Sequence, residues 1–155
     1  MHYIIQPHFD YTCQAWCPNL TKTLSTKIQC AQNKCVRFCL NLNSHTHLDK
    51  KHFEEINWLP VPERTNQRVC ASVYKYFNKL APSYMSDIFI PQKTSINTRN
   101  SMYRLRTQFR KSKMGQKSLS FLGPKLWNIL PDEIKSSKNT NSFKHKMKNM
   151  FFTNE

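Results

Sequence analysis

Residues 62–80 read PERTNQRVCASVYKYFNKL, and this stretch decides the fold. Proline suits the first turn of a helix, and the apolar residues after it recur at helical spacing. We therefore predict a helix over Glu63–Leu80. Its predicted buried stripe comprises Val69, Val73, Tyr76, Phe77 and Leu80.

The other side of this predicted helix is basic. At about 100° per residue, four cationic side chains project within about 60° of one another. We name this set the cationic ridge; it comprises Arg64, Arg68, Lys75 and Lys79. Such a ridge suits contact with a nucleic-acid backbone, and it is equally typical of a solvated helix face. Both interpretations stay open at this point.

A second amphipathic stretch occupies residues 23–42. Its apolar residues fall within an arc of about 100° at helical pitch, so we predict a helix that buries this arc. The arc contains Leu24, Ile28, Ala31, Cys35, Phe38, Cys39 and Leu42, with Lys27, Lys34 and Arg37 off it. Shorter helices are predicted within 48–57, after Gly123–Pro124, and from a cap at Asn141 or Ser142 onward.

These patterns predict a mainly α fold in three parts. Residues 1–90 form a small helical bundle, 91–101 a polar linker, and 102–155 a looser, basic helical segment. Within the last part Tyr103–Thr107 alternates in polarity, so a short β-hairpin turning near Gly115 is the alternative there.

The charge of the chain points to a polyanionic partner. Its 155 residues include 24 Lys and Arg against 9 Asp and Glu, a net charge of +15, and residues 91–155 hold 14 of the basic and 3 of the acidic residues. Long-range attraction and counterion release favour nucleic acid or an anionic membrane for such a surface, and solubility alone is the alternative explanation.

Five cations form a basic run, which comprises Arg104, Arg106, Arg110, Lys111 and Lys113. Tyr103 and Phe109 are interleaved with it, so the run suits contact with a single strand by charge and stacking. The alternative is a mobile basic loop.

Several classes of protein are excluded. Two glycines cannot build a phosphate-binding loop or a dinucleotide-binding fingerprint. No stretch approaches the roughly 18 apolar residues of a membrane span, and residues 1–10 lack the features of a secretory signal. We therefore predict an intracellular protein, nuclear or cytoplasmic, with no membrane partner.

No catalytic, metal or cofactor site is predicted. Cysteines and histidines are spaced so that a zinc site can be drawn through Cys13, Cys17, Cys30, Cys35, Cys39, His45 and His47. Cys30, however, lies about 140° around the predicted helix from Cys35, so the set cannot converge. Cysteines acting as small buried hydrophobes are the better interpretation. The aspartates are isolated from one another, which speaks against two-metal chemistry.

Three stretches together resemble the C-terminal region of LINE-type (non-LTR) retrotransposon reverse transcriptases, in order and spacing over nearly the whole chain. They are PHFDY at 7–11 with Trp16; WLP at 58–60 leading through VYK at 73–75 to APSYMSD at 81–87; and SFLGPKLWNILP at 120–131 with FK at 143–144.

The resemblance implies a thumb and post-thumb region that grips the template–primer duplex. The metal-binding aspartates of that family precede this region and have no counterpart here, so it implies no polymerase activity for the chain by itself. The implied partners are RNA or an RNA/DNA duplex, and the remainder of a reverse transcriptase if the chain is part of a longer protein.

Two other functions are open. One is a protein-interaction module in which Trp58 and Trp127 make a hydrophobic contact. The other is a domesticated or non-functional remnant of a retroelement, an expectation prompted by a start at Met1 inside what resembles a continuous helical domain.

Overall fold

The computed structural model describes residues 2–92 and 104–153. It is about 65% helical, and no strand occurs in the described ranges, which confirms the prediction of a mainly α fold. The helices are α1 (His2–Asp10), α2 (Cys13–Trp16), α3 (Lys22–Cys39), α4 (Lys50–Glu55), α5 (Val61–Phe77), α6 (Met85–Ile88), α7 (Leu119–Ile129), α8 (Asp132–Lys135) and α9 (Thr140–Thr153). Single 3₁₀ turns occupy Cys17–Asn19 and Gly115–Lys117.

The chain divides into two compact units. The first comprises Met1–Thr65 with Met150–Glu155, and the second comprises Asn66–Asn149. The sequence-based division into 1–90, 91–101 and 102–155 follows composition rather than compactness, and it stays a prediction. Most of the predicted linker lies outside the described residues, as does Tyr103.

Three helices end in the same way, through a residue in the left-handed conformation. Asn41, Asn57 and Lys79 have φ angles of 53°, 60° and 56°. After α5, Leu80 N–H donates to the carbonyl of Lys75 (2.8 Å), and Lys79 N–H donates to that of Tyr76 (3.1 Å). This is the Schellman pattern that stops a helix, usually with glycine at the left-handed position. Asparagine takes that position twice in this glycine-poor chain, and lysine takes it once.

The ending of α5 corrects part of its predicted stripe. Val69 and Val73 are buried as predicted, whereas Leu80 is 64% exposed. The Schellman turn redirects the chain after Phe77, so the helical phase that would have buried Leu80 no longer applies.

Helix α3 buries a different face from the one predicted. Its fully buried residues are Gln32 and Val36, whereas Leu24 is 47% and Phe38 is 67% exposed. Gln32 Nε2 donates to the carbonyl of Leu59 (2.9 Å), so polar bonds to the turn before α5 decide which side of α3 faces its unit. The predicted apolar arc lies about a quarter-turn away.

The first unit packs around Val36, Phe53 and Trp58. The turn that carries Trp58 is held by two glutamines of α3, because Gln29 Oε1 also accepts a hydrogen bond from Val61 N–H (3.0 Å). Partly buried residues against this core are Cys35, Leu40, Leu48, Ile56 and Phe152.

An aromatic stack forms the core of the second unit. Trp127 is fully buried, with its ring centroid 5.2 Å from that of Phe77 and 5.9 Å from that of Phe143. Tyr74 stacks on Phe143 at 4.7 Å and donates its hydroxyl to the carbonyl of Ser137 (2.5 Å). Helices α5, α7 and α9 each contribute to this stack.

The predicted β-hairpin near Gly115 does not form. Leu105 instead makes an isolated antiparallel bridge with Pro91, flanked by hydrogen bonds from Gln92 N–H to the carbonyl of Arg104 and from Arg106 N–H to that of Ile90, both 2.9 Å. The residues after 106 do not return to pair with them, because the chain enters a 3₁₀ turn at Gly115. The extended segment is therefore paired with residues that precede it.

Candidate nucleic-acid interface

The cationic ridge is divided between the two units. Arg64, in the first unit, is bound by Asp10: Nε lies 2.7 Å from Oδ1, and Nη2 lies 2.5 Å from Oδ2. Both side chains are largely buried, with 24% and 13% exposed. The hydrogen bonds that Arg64 donates to Asp10 raise the pKa of Arg64. This bidentate ion pair gives Arg64 a structural role that the sequence pattern did not suggest.

The other three ridge residues lie in the second unit. Lys75 and Lys79 are exposed, and Arg68 is half-buried on α5. Lys79 lies beyond the end of α5, so the helical alignment on which the ridge was drawn covers Arg68 and Lys75 but not Lys79.

The basic run lies wholly in the second unit, and all five of its cations are exposed. Arg104 and Arg106 flank Leu105, which is 1% exposed. Because side chains alternate along an extended segment, the buried Leu105 directs both arginines to the opposite, solvent side. Phe109 follows them with 83% of its surface exposed.

Asn128 holds this extended segment in place. Its Nδ2 donates to the carbonyl of Leu105 (2.8 Å), and its Oδ1 accepts from the N–H of the same residue (3.1 Å). Asn128 lies on α7, directly after the buried Trp127. The side chain therefore ties the backbone between two arginines to the core of the unit. We name residues 104–113, which contain all five cations of the basic run, the cationic strap.

No carboxylate is available nearby in the sequence to neutralise the strap. Residues 88–131 contain nine Lys and Arg and no Asp or Glu. Among the described residues, Arg110 Nη2 donates to Gln108 Oε1 (2.7 Å). Ion pairs are made at Arg64, Lys135 and His47, none of which belongs to the strap. The strap therefore presents its charge to solvent, which suits a phosphate backbone.

The cysteines only partly follow their predicted role. Cys13 and Cys70 are buried, whereas Cys30 and Cys39 are exposed, so burial as small hydrophobes is wrong for the last two. Burial raises the pKa of Cys70 to about 12. Within the described ranges no group of three Cys, His, Asp or Glu side chains is placed to hold a metal ion.

The tryptophans proposed for a protein contact are core residues. Trp58 is 2% and Trp127 is 0% exposed, so neither offers a surface. Trp58 lies in the turn before α5, and Trp127 lies in α7. Each side chain is buried inside its own unit. The protein-contact hypothesis loses the residues on which it was based.

These features define a class: a basic, mainly α protein with an exposed cationic strap anchored by an asparagine. No protein-family model, curated protein or solved structure matches the chain. Residues 2–92 and 104–153 include no helix of the length and apolarity that crossing a membrane requires.

The residue that sequence reasoning missed is Asn128. It belongs to the stretch WNIL at 127–130 that carries the resemblance, yet its bonding partner lies 23 positions away. An asparagine within an apolar helix was the available signal, because such a side chain needs a polar partner when it is half-buried.

Proposed function

We propose that the protein binds nucleic acid through its phosphate backbone, as a thumb-like accessory region of a reverse transcriptase-like protein without polymerase activity of its own. The partner is RNA or an RNA/DNA duplex, and binding takes place in the nucleus or the cytoplasm. The single observation that carries the proposal is the cationic strap, whose arginines 104 and 106 are exposed while the backbone between them is tied down.

Order in the strap separates this proposal from a mobile basic loop. A loop attracts polyanions by charge alone, and it gains affinity only after losing conformational entropy. Here Leu105 is buried, paired with Pro91 and bound twice by Asn128. A preorganised pair of arginines loses less entropy on meeting phosphate, so it supports a grip that survives physiological salt.

Exposed lysines elsewhere in the second unit add positive charge to that of the strap. Lys75 and Lys79 add charge on and just after α5, and Phe109 offers a ring on which an unpaired base can stack. Contacts of Lys and Arg with phosphate, and of an aromatic ring with the face of a base, carry no direct sequence information. The proposed binding is therefore independent of sequence.

The test is fluorescence anisotropy of the intact chain with an RNA/DNA hybrid, single-stranded RNA and heparin over a salt series. The strap variant replaces Arg104, Arg106, Lys111 and Lys113 with Gln. The matched control replaces the exposed Lys22, Lys27, Lys34 and Lys51 of the first unit with Gln, which removes the same charge.

We expect the strap variant to lose most affinity for nucleic acid and to flatten the salt slope by about 0.7–0.9 per lost phosphate contact, with the control close to the parent. Equal losses in the two variants, or equal binding of heparin and nucleic acid at every salt concentration, would contradict the proposal. Either result would mean that only net charge acts.

A further inference from the structure

Helix α3 presents an apolar seam that its own unit covers only in part. Leu24, Ile28, Ala31, Cys35 and Phe38 are spaced alternately four and three residues apart. That is the a/d spacing of a coiled-coil helix. Leu24, Ala31 and Phe38 are exposed, and the two residues between them are half-buried.

The two flanks of this seam differ. With Ile28 and Cys35 as a positions, the g positions are Lys27 and Lys34, both exposed, and the adjacent e position is Gln32, which is fully buried. One flank is therefore cationic and open, whereas the other is buried at its central position, Gln32. Of its outer e positions, Ser25 is half-buried and Cys39 is exposed. The whole helix carries four Lys or Arg and no acidic residue.

This asymmetry argues against a second copy as the occupant. In a parallel pair, g positions face e positions of the partner, and the central e position of α3, Gln32, is already buried. In an antiparallel pair, g faces g, so Lys27 and Lys34 would meet lysines. The +15 charge of each chain adds to that repulsion.

The shape of the seam favours a helix over a lipid surface. Interfacial membrane helices carry bulky apolar residues along the inserted face. Here the small, exposed Ala31 lies between Leu24 and Phe38 along the seam, and its size leaves room for a side chain of a facing helix.

We propose that the seam of α3 docks an amphipathic helix of a partner protein whose apolar stripe is flanked by Glu or Asp opposite Lys27 and Lys34. The acidic flank supplies the charge that α3 lacks, and the apolar stripe covers Leu24 and Phe38. This site is in the first unit and does not depend on nucleic-acid binding by the strap.

The probe is a labelled helical peptide of about four heptads with Leu at a and d and Glu at e and g, titrated into the intact chain at about 0.15 M salt. A second peptide has Lys at e and g, and a third has Ser at a and d. We expect binding of the first peptide only.

Three variants locate the site. Phe38→Asn replaces a seam residue that is 67% exposed, so it leaves the core unchanged. It should weaken binding of the peptide with Glu at e and g about tenfold. Lys27→Glu with Lys34→Glu should weaken it by a similar factor and gain binding of the Lys peptide. Lys22→Glu with Lys51→Glu, both exposed and off the seam, matches that change in charge.

The proposal is overturned if the off-seam pair weakens the Glu peptide as much as the seam pair, or if Phe38→Asn leaves the affinity unchanged while circular dichroism shows native helix content. It is also overturned if anionic phosphatidylserine vesicles bind the parent chain and the Glu peptide does not, which would assign the seam to a membrane surface.

Discussion

Single residues carry unusual constraints in this chain, and Gly123 shows one of them. A Cβ at this position would lie 2.6 Å from Phe89 Cε1 and 3.2 Å from Val73 Cγ2. Both neighbours are fully buried, so neither can move cheaply. The glycine is therefore required by close packing of α7 and not by its backbone angles.

We expect Gly123→Ala to lower the free energy of unfolding by about 1–3 kcal/mol through overpacking. Chemical denaturation measures the loss. Adding Phe89→Leu, which removes the ring atom in conflict, should recover part of it. If the double variant shows the sum of the two separate losses, the clash with Phe89 is not the cause.

Lys79 occupies a left-handed position that glycine adopts without a Cβ penalty. Lys79→Gly should therefore stabilise the chain by about 1 kcal/mol. Lys75→Gly, in the last turn of α5, removes the same charge at a helical position and should destabilise it by a similar amount. The measurement is the Tm of each of the two variants in thermal unfolding. Equal shifts in Tm would contradict the assignment of a Schellman turn at Lys79.

Cys70 couples stability to pH. Its pKa in the folded chain is raised to about 12, from 9.0, because burial disfavours the thiolate. The folded state therefore keeps a proton that the unfolded state loses. The stabilising contribution is complete below pH 9 and is lost as pH rises toward 12.

We expect Cys70→Ala to unfold with a shallower loss of stability between pH 9 and 10.5 than the parent chain. Cys30 and Cys39, in contrast, are exposed. Thiol reagents should modify these two in the native state and reach Cys70 only on unfolding. Rapid native modification of Cys70 would contradict its burial.

At the scale of elements, the strap depends on α7 through one side chain. The two hydrogen bonds of Asn128 act together with the bridge to Pro91 to hold residues 104–106 in an extended conformation. On helix α5, in contrast, the most N-terminal residue of the cationic ridge has a structural role. This residue, Arg64, is bound by Asp10 of α1.

Asn128→Ala keeps every charge and frees the backbone of Leu105. We expect hybrid-duplex affinity to fall about three- to tenfold while heparin binding at low salt is unchanged. Hydrogen exchange at Leu105 and Arg106 should rise in the same variant. Affinity equal to the parent, with faster exchange at these amides, would show that strap order is irrelevant to binding.

At the scale of the whole molecule, repulsion among the positive charges acts against the folded state. A net charge of +15 on 155 residues destabilises any compact state, and salt screens that repulsion. We expect the urea midpoint to rise as NaCl increases from about 0.02 to 0.2 M.

The strap variant with four Gln substitutions should show a smaller rise, because it has less repulsion to screen. A sulfate series at matched ionic strength separates screening from bound anion, since a binding site would give sulfate the larger effect. An unchanged midpoint across the NaCl series would mean that the charges are too widely spaced to interact.

Local pattern in the sequence was enough to predict the mainly α class and helices over 23–42, 48–57 and 63–80, which the structure has at Lys22–Cys39, Lys50–Glu55 and Val61–Phe77. These follow from helical spacing and a proline at the first turn, each of which acts within a few residues. The resemblance to reverse transcriptase thumbs, and the duplex grip it implies, stay predictions.

Tertiary structure alone decided which face of α3 is buried, where Arg64 is bound and how the strap is held. Gln32 bonds to residue 59, Arg64 to residue 10 and Asn128 to residue 105. Each contact joins groups 23 or more positions apart, and each satisfies a polar group that burial would otherwise penalise. Helical periodicity reports only how apolar residues are distributed along one helix. It carries no information about a hydrogen bond to a different element. In α3 such bonds, and not the apolar arc, determine which face is buried.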